Sequence, residues 1–158
     1  KCQWLLDVAG IDAVINYKTC GDLTQALAKA APNGVDVYFE NVGGEHLQAA
    51  IQAMNPFGRI ALCGMISQYN NTQVTPGPNN LIQIVGKSLK IEGFIVGNHA
   101  DMRADFVRDM QNWISQGKIT WQETIFEGVD KAPDAFLALF SGDNKGKMLV
   151  RLGPDKTN

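Results

Sequence analysis

Three stretches of this chain end on groups that can bind a polar ligand. In "VDVYFENVGG" (35–44) an apolar run closes on Glu40 and Asn41, and Gly43 and Gly44 follow. In "GRIALCGMISQYN" (58–70) a second run gives way to Cys63, Gly64, Met65, Ile66, Ser67 and Tyr69. A third run ends at Phe94, Ile95, Val96 and Gly97. An amide both donates and accepts hydrogen bonds, a phenol does the same, and glycine lets another molecule approach the backbone. In an open α/β sheet, ligands bind beyond the C-terminal ends of the strands. Hydrogen-bonding groups gathered where apolar runs stop therefore point to a nucleotide site.

The usual phosphate signatures are absent. Neither G-x-G-x-x-G nor a Walker ending occurs in the chain. By itself Gly43-Gly44 suits a tight strand-to-helix turn equally well, with Asn41 capping it. Tyr38 and Phe39 read as core residues. Cys63, at the end of an apolar strand, reads as a small packed residue rather than a reactive thiol. His46 and His99 read as solvent-facing, and no further histidine or carboxylate stands at metal-ligand spacing. No nucleophile elbow is present. Tyr69 is harder to assign to a plain turn, because its phenol leaves a strand end among Ser67, Gln68 and Asn70.

The elements that would position these groups follow from periodicity. An opening helix carries Trp4, Leu5 and Val8 on one face and stops at Gly10. "DAVINY" (12–17) reads as a strand. Leu23, Ala26, Leu27 and Ala30 have helical spacing, with Asp22 as the cap. A strand at 35–40, a helix carrying Leu47, Ala50, Ile51 and Met54, and a strand at 58–64 come next. A polar loop (65–80), a short helix near 80–87 and a strand at 89–96 follow, then an amphipathic helix near 101–116. Beyond Gly117 an alternating strand (119–128) reads as antiparallel or edge. A proline-initiated helix ends at Gly142, and a last strand spans 146–152. Alternation of strand and helix with short connections implies an α/β fold with a parallel sheet, its strands buried on both sides.

Composition agrees with a globular domain: 45% of the residues are hydrophobic and 19% charged. A net charge of −2 gives no reason to expect a nucleic acid or an anionic membrane as partner. No apolar run approaches the ~20 residues that span a bilayer. Cys2, Cys20 and Cys63 are odd in number and far apart, which argues against a disulfide framework and favours a reducing cytoplasm. The chain opens on Lys1 inside a helical pattern, so a preceding segment is expected.

Taken in order, "YFENVGGE" (38–45), "GRIALCGMISQYN" (58–70), "PGP" (76–78), "IEGFIV" (91–96) and "GDNKGKMLVRL" (142–152) resemble the zinc-independent medium-chain dehydrogenase/reductases. The nearest group is that of the NADPH-dependent prostaglandin, leukotriene and curcumin reductases, and the likeness runs over essentially the whole chain. It implies a Rossmann-type doubly wound parallel sheet whose first strand and diphosphate loop lie upstream of Lys1. Residues 1–117 would be the nucleotide-binding domain, and 118–158 a segment returning to the catalytic domain.

The resemblance also implies roles. Lys1 and Tyr17 match the family's contacts to the adenosine 2′-phosphate, favouring NADPH over NADH through charge-assisted hydrogen bonds. Asn41 matches a contact to the cofactor, where its amide suits a ribose or a carboxamide. Cys63, Gly64, Met65, Ile66, Ser67 and Tyr69, with Phe94, Ile95 and Val96, match the nicotinamide-side wall, and Asn144 a further cofactor contact. The implied reaction is hydride transfer from NADPH to the β-carbon of an α,β-unsaturated ketone or aldehyde, without a metal. Tyr69 would steady the enolate oxygen or the nicotinamide ribose. A homodimer through the sheet edge at "LKIEGFIV" is a further implication. The alternative is a non-catalytic Rossmann-like binding module.

Overall fold

A computed structural model of the protein describes residues 1–154. The sequence-predicted tail (153–158) lies mostly outside the described residues. The chain divides into two compact units. The larger is built on Asp12–Ala104; the other comprises Gln3–Ile11 with Lys1, and the chain from Asp105 on. No helix among the described residues is long and apolar enough to cross a membrane.

The larger unit has a three-stranded parallel sheet in the order β1 (Val35–Glu40), β2 (Met54–Leu62), β3 (Lys90–Gly93). Parallel neighbours need crossovers. Here they are α3 (Gly44–Ala53), between β1 and β2, and α4 (Ile82–Gly86), between β2 and β3. Leu47 and Ile51 of α3, Met54 and Ile60 of β2, and Leu89 form the core, with Tyr38, Leu62, Ile84 and Ile91 packed against it. The helix α2 (Leu23–Ala30) starts where expected: the Asp22 carboxylate accepts the Gln25 N–H at 3.0 Å. It packs on α3.

Several expectations are corrected. Residues 12–17 form no strand. A strand exists only through hydrogen bonds to a neighbour, and no described strand pairs with this extended segment. The strands are not covered on both sides either: Val37 and Phe39 of β1 are 60% and 56% exposed. Their alternation with Tyr38 and Glu40 puts them on the face opposite the core, so Phe39 is not a core residue. The second strand ends at Leu62, so Cys63 leaves the sheet and is exposed rather than packed.

The other unit contains α1 (Cys2–Asp7), most of α5 (Arg103–Ser115), β4 (Glu123–Glu127), α6 (Ala132–Ser141) and β5 (Lys147–Arg151). The strands β4 and β5 pair in parallel, in register from Glu123↔Lys147 to Glu127↔Arg151. The antiparallel reading of 119–128 is therefore wrong, although each strand of a pair is indeed an edge. The connection explains the direction. Helix α6 returns the chain to the starting end of β4, as a parallel crossover must. Pro133 opens α6, and Gly142 closes it in the left-handed conformation at φ 74°.

Candidate functional site

Because all three strands of the larger sheet run the same way, their C-terminal ends gather the 40–44, 63–69 and 94–96 loops at one edge. Backbone hydrogen bonds tie the first two loops together. The Glu40 carbonyl accepts the N–H of Cys63 at 2.9 Å and of Gly64 at 3.1 Å. The Asn41 carbonyl accepts the N–H of Ile66 at 3.0 Å. The Val42 carbonyl accepts both the N–H and the hydroxyl of Ser67, at 3.0 and 2.6 Å. Phe94 joins through its N–H to the Leu62 carbonyl, 3.1 Å away.

Beneath this seam lies a residue that sequence reasoning did not single out. Glu40 is fully buried. One carboxylate oxygen accepts the N–H groups of Val42 and Gly43, the latter at 2.9 Å, while the other has no partner among the described residues. A buried carboxylate is costly unless hydrogen-bonded, and these amides offset part of that cost. The result is a sharp turn through Gly43, whose φ of 78° and ψ of −160° are open essentially to glycine alone. A Cβ there would sit 3.1 Å from that of Met65. Burial first, and then the Glu40 carboxylate, push the Tyr38 phenol above its ordinary range. The sequence signal was present: an acid ending an apolar strand and followed two residues later by Val-Gly-Gly can turn inward to meet those amides.

Tyr69 folds back over the same seam. Its phenolic oxygen accepts the Met65 N–H at 3.1 Å, which leaves the O–H free to donate. Gly64 makes this possible, since a Cβ there would fall 2.8 Å from that oxygen. The Tyr69 ring is exposed, as are the side chains of Asn41, Cys63, Ile66, Ser67, Ile95 and Val96. Met65 and Phe94 are half-buried. The structure therefore brings Asn41, 63–69 and Phe94 together as one rim of exposed donors and acceptors with apolar flanks. Such a rim can hold a ribose and a carboxamide.

Tyr17, in the same unit, is 59% exposed on a turn. Its ring meets that of His46, in the first turn of α3, edge-to-face at 5.2 Å. His46 is half-buried, contrary to the solvent-facing expectation. Lys1 and Asn144 belong to the other unit, where the Lys1 ammonium donates to the Asn144 side-chain oxygen at 3.3 Å. The Asn144 amide in turn donates to the Gly146 carbonyl at 2.8 Å.

Comparison with known proteins gives this rim a context. Residues 1–112 match the family model described as zinc-binding dehydrogenase. Prostaglandin reductase 1 of Bos taurus is 45% identical over 153 residues, which cover 96% of this chain and 46% of that protein. The 2-alkenal reductase (NADP(+)-dependent) of Nicotiana tabacum is 43% identical over 150 residues, 95% of this chain and 43% of the relative. The crystal structure of CurA in complex with NADPH, from Vibrio vulnificus, superposes with a TM-score of 0.87 at 40% identity. That match covers 98% of this chain and 47% of the CurA chain. The chain thus spans about half the length of the curated relatives it matches. It belongs to the zinc-binding dehydrogenase family, and among medium-chain dehydrogenase/reductases it is similar to the prostaglandin reductases.

Proposed function

We propose that the protein reduces the carbon–carbon double bond of α,β-unsaturated ketones or aldehydes with NADPH, and that the rim at the strand ends holds the nicotinamide half of the cofactor. The observation that carries this reading is the seam joining the 40–44 and 63–69 loops, which presents the Asn41 amide and the Tyr69 O–H at one edge. The chain's likeness to reductases named for prostaglandin and alkenal substrates, and to a structure holding NADPH, supports it. Hydride delivery to the β-carbon is chemistry the nicotinamide supplies when bound.

The chain's own residues do the rest. Asn41 hydrogen-bonds the ribose or the carboxamide, and Met65, Ile66, Phe94, Ile95 and Val96 form the apolar side of the shelf. Gly64 lets the Tyr69 ring lie close, and Cys63 and Ser67 line the loop between them. With cofactor and substrate bound, negative charge would build on the carbonyl oxygen of the substrate, and the Tyr69 O–H would donate to it or to the ribose hydroxyl. One such donor typically lowers a barrier by about 3 kcal/mol. Tyr17 recognises the 2′-phosphate.

The family's name carries zinc. Among the described residues no group of three His, Cys, Asp or Glu could hold a metal ion. Unpaired Cys2, Cys20 and Cys63 suit a cytoplasmic setting. A second copy pairs along β3, which is an edge of its sheet, and light scattering on the full-length protein tests that.

The decisive assay follows oxidation of NADPH by the full-length protein across a panel of enones and enals. Turnover with product reduced at the double bond is expected. NADPH binding without turnover on any of them would instead favour a non-catalytic binding module.

A further inference from the structure

We infer that His46 fixes the ring of Tyr17 and so sharpens the choice of NADPH over NADH. The inference rests on reading Tyr17 as the contact to the 2′-phosphate.

The backbone at Tyr17 is already set. The Asn16 carbonyl accepts the N–H of Thr19 at 3.0 Å and of Cys20 at 2.9 Å, and the Asn16 side chain accepts the Lys18 N–H at 3.1 Å. What remains free is the ring. It is more than half exposed, and a cavity of about 150 Å³ lies beside it, lined by Ile15, Leu23, Leu27 and Tyr38 and bounded by His46. Space on that side lets the ring swing, and ordering a free side chain on binding weakens affinity. His46 opposes the swing. It is half-buried, and its backbone N–H is bonded to the Gly43 carbonyl at 3.1 Å, which anchors its Cα in the first turn of α3. The two rings meet at 5.2 Å with an interplanar angle of 68°, an edge-to-face arrangement that is favourable between aromatic rings. The Tyr17 hydroxyl is thereby held in one place before the phosphate arrives. Only a ligand carrying that phosphate gains from it, so His46 is a positioning residue for cofactor choice and has no part in the chemical step.

The test measures dissociation constants for NADP⁺ and NAD⁺ by calorimetry on the full-length protein, together with kcat for one enone. His46→Ala is expected to weaken NADP⁺ by roughly 3- to 10-fold, the range of one aromatic pair, while NAD⁺ and kcat stay unchanged. His46→Phe keeps a ring at the position and is expected to restore the NADP⁺ value. Equal losses for both cofactors, no loss at all, or a His46→Phe that behaves like His46→Ala would overturn the inference. Tyr17→Phe is the control on the underlying reading. If it leaves the ratio of NADP⁺ to NAD⁺ affinity unchanged, the phosphate assignment fails. If it lowers the ratio and His46→Ala does not, only the role of His46 fails.

Discussion

The two ends of the proposed cofactor site in the larger unit are built by different means. At the nicotinamide end, loops 40–44 and 63–69 are joined by five backbone or hydroxyl hydrogen bonds spread over four donor residues, and Glu40 fastens the turn from below. At the phosphate end, Tyr17 stands on a four-residue turn and its ring is steadied by one aromatic contact. The contrast has a physical sense. Hydride transfer requires reacting atoms placed to within a fraction of an ångström, which backbone ties deliver. Recognising a phosphate requires charge and donors within reach, which side chains deliver more loosely. The nicotinamide end should therefore be the brittle one.

Glu40→Leu is the hardest blow to that end. It leaves the N–H groups of Val42 and Gly43 without their acceptor, at about 1–3 kcal/mol each. A loss near 4 kcal/mol is expected in denaturant unfolding, along with a weakened grip on NADPH. A variant as stable as the parent would show that the turn is held by something other than the carboxylate.

Tyr69→Phe removes one donor and, with the same oxygen, the acceptor of the Met65 N–H. The proposed role predicts a fall of about 100-fold in kcat with an enone, or ~3 kcal/mol, against a loss of only about 1 kcal/mol in stability from the Met65 hydrogen bond. Unchanged kcat would take Tyr69 out of the chemistry and reduce the nicotinamide end to a docking surface.

Gly43→Ala probes the turn itself. Its backbone angles cost a residue with a Cβ about 2 kcal/mol, and that Cβ would press on Met65. Chemical denaturation should show a loss of this size. The corresponding insult at the other end, Gly21→Ala, meets open space and should cost less, since only its φ of 73° resists.

These features were not equally legible. The 3.6-residue spacing of Leu23–Ala30 and of Leu47–Ile51 gave α2 and α3, although Met54, read onto the same helical face, starts β2, and the Asp22 cap was readable because a carboxylate before a helical face has few other uses. The three strand-end loops were legible because apolar runs end on polar groups. What pairs with what was not. Residues 12–17 carry a strand's composition, but composition does not supply a neighbour. For β4, alternation reports one exposed face and says nothing of direction, although the helix before β5 could have indicated a parallel return. Glu40 was read as the acid that closes the 35–40 strand, and only the fold reveals amides turned toward it. His46 was placed in solvent because it lies at a helix start, its partner Tyr17 lying 29 positions earlier in the chain.

The smallest expected effect tests whether the seam is redundant. Ser67→Ala removes the hydroxyl that donates to the Val42 carbonyl at 2.6 Å, yet the Ser67 N–H still donates to that carbonyl at 3.0 Å. No group is stranded: the carbonyl keeps one partner, and the hydroxyl was exposed, so its removal leaves no buried donor. The loss should be that of one ordinary hydrogen bond, about 1 kcal/mol, with the affinity for NADPH changed less than threefold. A seam built on backbone groups predicts this tolerance, because alanine retains every one of them. A loss as large as that of Glu40→Leu would mean instead that a single side chain holds the loops together, and the nicotinamide end would then be built no differently from the phosphate end.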